Sequence, residues 1–274
     1  MVGTRNILII SLLFLCAALI TSLTAQAQEE EEVETQTEET TQATIEPEAL
    51  EVLKEMSNTL SALKEFSFDT EITNDITYAS GQPIQMGGTL TAVVKRPNQV
   101  YAKYVGDSST REVWYSTKSL TLYIENKDFY GQLETPDNID ATMDFLIDNY
   151  NFSLPLADII SSNPYESVME TTLGGFVVGD SNVGGQECTH LAFTAEYVDW
   201  QIWVSNDDPA LPCKLVINYT QIEGVPQYQA TFSNWNLKPE ITKSTFKPNI
   251  PKDAVKIDFI NFKKEEGANK DEEK

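Results

Sequence analysis

Apolar positions change their period at about residue 66. Upstream, Leu50, Leu53, Met56, Leu60 and Leu63 recur at helical spacing behind Pro47, so residues 47–64 are expected to form one amphipathic helix. Downstream the period drops to two. Leu90, Ala92 and Val94 alternate with Thr91, Val93 and Lys95, and Leu120, Leu122 and Ile124 with Thr121, Tyr123 and Glu125. Turn residues break the run into six strands, 66–79, 84–95, 99–105, 110–116, 119–125 and 128–133. A helical interlude follows, with Ile139, Met143, Leu146, Ile147, Leu156, Ile159 and Ile160 in register and Pro155 and Pro164 placed to start helices. Five more strands are expected at 173–182, 186–196, 199–205, 212–221 and 226–237, with a short last one between Val255 and Phe262. With no long crossover between neighbouring strands, the pattern predicts a mainly β (α+β) body whose strands pair antiparallel.

Several strands carry apolar residues on both faces. Trp200, Ile202 and Val204 share one face and Trp203 takes the other; Val113 and Tyr115 oppose Trp114. A sheet wet on one side alternates cleanly, so both faces here are expected to be covered. One account is a sheet packed on its own helices. The other is a curved sheet whose concave face is partly empty and closed by helices, with Met86, Trp114, Tyr123, Phe193, Trp200 and Trp203 as ligand contacts.

The N-terminus reads as an address. Arg5 precedes an apolar stretch from Ile7 to Leu23, and Ala25-Gln26-Ala27 supplies small residues for cleavage, so residues 1–27 are expected to be a secretory signal. The alternative is a retained anchor; Cys16, behind bulky Leu15, argues against a lipidated form. Residues 28–46 hold eight glutamates and no base and are expected to be a solvated tether, as is the charged tail 263–274. The full chain carries −23. The signal contributes +1, the tether −8 and the tail −1, which leaves −15 for residues 47–262. An acidic body argues against nucleic acid as a partner and disfavours anionic membrane surfaces.

Little reactive chemistry is visible. His190 is the only histidine; no nucleophile-elbow or phosphate-loop motif accompanies it, and it reads as a hydrogen-bonded sheet residue. No metal or cofactor is implied, and a non-enzymatic role is expected; a carboxylate-pair hydrolase is the remote alternative. Cys188 and Cys213 both open strands, which leaves two readings: a disulfide at one end of the sheet, or two buried thiols. Arg96 and Arg111, the only arginines of the body, are candidates to tether a helical lid.

The strings VGGQECTHLAF (183–193), VDWQIWV (198–204), LPCKLVINY (211–219) and PQYQATFSNWNL (226–237), with PEALEVLKEMSNTLSALKEFSF (47–68) and LPLADIISSNPYE (154–166), resemble a bacterial family of predicted periplasmic proteins of unknown function. That family is similar in fold to LolA, the periplasmic carrier of outer-membrane lipoproteins. The resemblance implies a half-barrel of about eleven strands closed by helices, in the periplasm of a Gram-negative-type envelope. It implies a binding protein for a lipid, a lipoprotein or another apolar molecule, or a domain that senses lipoprotein or binds another envelope protein.

Overall fold

The computed structural model describes residues 44–261 apart from Ala79 and Ser153. The signal segment with Cys16, the tether up to residue 43, and the tail lie outside the described residues. Helix α1 (Pro47–Ala62) starts with proline at its first position. Its stripe of Ala49, Leu53, Met56 and Leu60 is buried. Strands β1 (Glu65–Thr77) and β2 (Pro83–Lys95) form a long hairpin paired from Glu65↔Lys95 to Thr77↔Pro83. The meander continues through β3 (Gln99–Gly106), β4 (Thr110–Ser116), β5 (Ser119–Ile124) and β6 (Phe129–Glu134).

Three helices follow: α2 (Ile139–Tyr150), α3 (Ala157–Ile160) and α4 (Pro164–Met169). Asn138 caps α2 by accepting the Ala141 N–H at 2.7 Å, and Asn151, left-handed at φ 48°, ends it. Asn163 caps α4 and Pro164 occupies its first turn. Pro155 sits in the turn before α3 and does not itself open a helix. Strands β7 (Thr172–Val183), β8 (Gln186–Ala195), β9 (Asp199–Ser205), β10 (Pro212–Asn218) and β11 (Gln227–Asn236) complete the second half, and β12 (Val255–Lys256) ends it.

All twelve strands belong to one open, curved sheet, in the order β12-β6-β5-β4-β3-β2-β1-β11-β10-β9-β8-β7. Each half is a meander, and the two meet where β1 pairs with β11. The expected eleven strands are all present. The last strand is shorter than expected and pairs with β6 in parallel, the one departure from antiparallel order among the twelve strands. The residues just before α1 also join the sheet. Thr44–Glu46 add to the outer edge of β7: the Glu46 N–H donates to Gly175 O at 2.9 Å, and the Glu46 carboxylate accepts the Val177 N–H.

Strand β6 lies near one edge of the sheet and β7 is the other edge. The chain between them therefore has to traverse the sheet, and α2 to α4 do so across the concave face. Ile139, Leu146, Ile159 and Ile160 join the α1 stripe and inward strand residues in one buried cluster. Register defines its rows: Leu191, Ile202, Leu215, Ala230 and Ile72 lie side by side across five strands. At the end nearest the α1 C-terminus, Phe66, Phe68, Phe232 and Trp235 pack ring against ring. A bulge in the β1–β11 ladder, with Asn234 left-handed at φ 53°, turns Trp235 onto this side.

The convex face is covered where the two-sided pattern demanded it. Trp114, Thr121 and Tyr123 point away from the concave cluster, yet all three are buried. Residues 237–254 must pass from β11 at the centre to β12 beside β6. Phe246 of this segment is buried outside the concave cluster, and Asp253 lies close enough to act on the Tyr123 hydroxyl. The segment is thus a strap over β4 and β5. Beyond it, Phe259 turns back over Gly131 and meets Tyr150 of α2 edge to face.

Candidate functional site

The concave face is mostly filled by the protein's own side chains, but not completely. A cavity of about 180 Å³ remains between the helices and the β9–β10 ladder. Leu53 and Met56 of α1 form one wall, Trp200 and Ile202 of β9 with Leu215 and Ile217 of β10 another, and Ile159 and Val168 the roof. Trp200 is fixed by stacking on Phe193 at 4.1 Å between ring centroids. Gly175 on β7 leaves room for that Phe193 ring, since a Cβ there would sit 2.2 Å from it. The lining is apolar except at one rim, where Asp158, Ser167 and Thr171 gather.

The roof is short and held by few polar bonds. The Tyr165 N–H at the start of α4 donates to Ser57 Oγ of α1 at 2.8 Å. Ser57 is a buried polar residue inside an otherwise apolar stripe. Asp140 of α2 accepts the Ser162 N–H at 2.8 Å. Arg96, at the β2–β3 turn, donates to the carbonyl of Ile160 at the end of α3 and to that of Leu63 just after α1. Its guanidinium lies 5.3 Å from the Phe66 ring centroid. Burial lowers its pKa from the usual arginine value, and Asp140 opposes that shift. Arg96 therefore positions both helices at once. Replacing it with alanine is expected to cost about 2 kcal/mol, the scale of hydrogen bonds from a charged donor, and to speed the entry of an apolar probe severalfold. Stopped-flow fluorescence checks this; an unchanged entry rate would show that Arg96 does not hold the roof.

The residues singled out in the sequence divide by face. Phe193 and Trp200 face the concave side, and Trp200 lines the cavity. Met86 shares that side, opposite Asn74, but at the far end of the β1–β2 hairpin. Trp114, Tyr123 and Trp203 lie on the convex face and do not reach the cavity; strand parity puts them one residue out of phase with their inward neighbours. The Tyr123 hydroxyl donates to Asp128 at 2.9 Å, and burial together with that carboxylate pushes its pKa up to about 12. Trp203 is sandwiched between the His190 ring, 3.8 Å away, and the Lys214 ammonium. His190 bonds Gln201 at 3.0 Å, and burial lowers its pKa. Arg111 bonds Ser109 two residues away, which leaves the tethering geometry to Arg96. The sulfurs of Cys188 and Cys213 are at bonding distance, linking β8 to β10 across the end of β9. Among the described residues, no three His, Cys, Asp or Glu side chains converge as metal ligands would. No described helix is long and apolar enough to cross a membrane.

Sequence reasoning missed the roof contacts and the rim. In the sequence Leu53 and Met56 belong to one apolar helical stripe with nothing to mark them as cavity wall, and Ser57, Asp158 and Ser167 carry no local motif. The interruption of the α1 stripe by a serine on its buried face was the one available signal.

The family described as "Predicted periplasmic protein (DUF2092)" matches residues 49–260. A comparison with curated proteins finds no match. Among solved structures, LprF from Mycobacterium bovis is 14% identical, with 78% of this chain and 100% of that one covered and a TM-score of 0.44. The lipoprotein LppX from Mycobacterium tuberculosis is 12% identical over 72% and 100%, TM-score 0.45. A LolA-superfamily protein from Nitrosomonas europaea is 9% identical over 73% and 97%, TM-score 0.33.

Proposed function

The chain belongs to the DUF2092 family of predicted periplasmic proteins, and from that footing we propose that it is a non-catalytic periplasmic binding protein for an apolar or acylated guest. The guest sits between the α3–α4 roof and the β9–β10 ladder. The observation that carries this reading is the 180 Å³ apolar cavity beneath a short, lightly tethered roof. An engineered cavity of about 150 Å³ lined by aliphatic residues stays dry and admits benzene, whereas drug-sized pockets begin near 300 Å³. The closed form thus suits a short apolar segment, and a longer chain would need the roof to swing outward. Each methylene taken from water contributes about 0.8 kcal/mol, so a dry groove binds without reactive groups.

Titration with 1-N-phenylnaphthylamine tests this. The protein is expected to take up the probe, and Ile217→Trp, which fills the cavity from β10, to raise its Kd at least about tenfold, or ~1.4 kcal/mol. Probe binding indifferent to that substitution would overturn the site. A second reading, docking of an envelope protein, is favoured by one observation: β7, whose outer edge is occupied by residues 44–46, exposes the side chains of Leu173, Phe176 and Val178. A crosslinked partner lost on substituting Phe176 with lysine would support it.

A further inference from the structure

We infer that the cavity selects an amphiphile with a cationic, hydrogen-bond-donating head, a primary amine in its simplest form, whose charge is met at the rim by Asp158. This rests on the cavity being the binding site and goes further by assigning the chemistry of its mouth.

Two of the three polar rim residues present acceptors, and Thr171 adds an exposed hydroxyl beside them. Ser167 Oγ donates its one proton to Asp158 Oδ1, so that hydroxyl is left with lone pairs only. Asp158 forms no ion pair among the described residues, and no lysine or arginine lines the cavity. Lys54, the base on the α1–α4 face, is set over the Tyr165 ring. A guest with its tail against Trp200 and Ile217 therefore meets a half-buried carboxylate that has spare acceptor capacity. An ammonium head supplies three donors and the opposite charge, and such charge-assisted bonds are the strong ones. A carboxylate head supplies neither and adds repulsion. The acidity of the body acts in the same direction by drawing cations towards the surface. A free fatty acid is accordingly the wrong guest, despite the apolar walls.

Displacement of bound 1-N-phenylnaphthylamine from the purified protein at pH 7 by octylamine, octanol and octanoate provides the test, because the three share one tail length. Octylamine is expected to displace the probe at concentrations at least about tenfold lower than octanoate, with octanol between them. Asp158→Asn should abolish the advantage of octylamine over octanol. Ser167→Ala, which keeps the carboxylate, should retain the order. Equal potency of the three ligands, or octanoate acting best, would overturn the head-group assignment and leave the cavity standing. Failure of the protein to take up the probe at all would overturn the cavity, and the assignment with it.

Discussion

Phe66→Ala is expected to lower stability by about 3–5 kcal/mol, the range for removing a fully buried aromatic ring. In a domain of this size that lowers the thermal midpoint by roughly 10 °C. Phe66 is completely buried, with ring centroids 6.3 Å from Phe68 and 6.2 Å from Trp235, and the Arg96 guanidinium rests over it. Its loss opens a void at the end of the concave face and removes the surface on which the roof's positioning residue lies. Stability and probe entry should therefore change together. Trp203→Ala is the comparison. That indole is larger, but only partly buried between His190 and Lys214, and its loss should cost about 1 kcal/mol. Urea unfolding of the two variants distinguishes the faces. Equal losses would mean that the concave side is not the principal core.

The second large effect concerns Cys188 and Cys213. We read them as a disulfide, closing a loop across 25 positions of sequence. On the chain-entropy account, a loop of that length stabilises the fold by about 3 kcal/mol. The double substitution Cys188→Ala with Cys213→Ala should lower the midpoint by several degrees, and dithiothreitol should do the same to the parent protein. A thiol titration of the denatured, unreduced body is expected to find neither cysteine free. Two reactive thiols would defeat the pairing. The expected loss is smaller than for Phe66, because removing the link changes mainly the unfolded chain and leaves the buried packing in place.

Much of the scaffold was legible because the period of the apolar residues survives folding. The helix at Pro47, the hairpin around Ser80-Gly81 and the β9 strand at Trp200 all stand where alternation and turn chemistry place them. Parity was legible too, since Trp203 was seen to oppose Trp200. What alternation cannot supply is the choice of which face is inside, and with rings on both faces the pattern is symmetric. The segment 237–254, whose Asp253 lies near Tyr123, is irregular and polar and carries no periodic signal of the face it crosses. The rim was hidden for a related reason. Ser57 and Tyr165, or Arg96 and Ile160, are far apart in sequence and meet only because α2 to α4 must cross from one sheet edge to the other.

The junction of the two halves has a temporal side. Within each meander, neighbouring strands are joined by short connections and can zip as soon as both have emerged. The β1–β11 ladder cannot: Ser67 waits for Asn236, and Asn74 for Tyr228. Loop closure over such a span makes this the slow step. A chain emerging from its N-terminus thus presents its early strands with one edge still unpaired. It becomes a finished shell only when almost all of it has arrived, which makes the interval before that moment the one in which a chaperone or a protease has its opportunity.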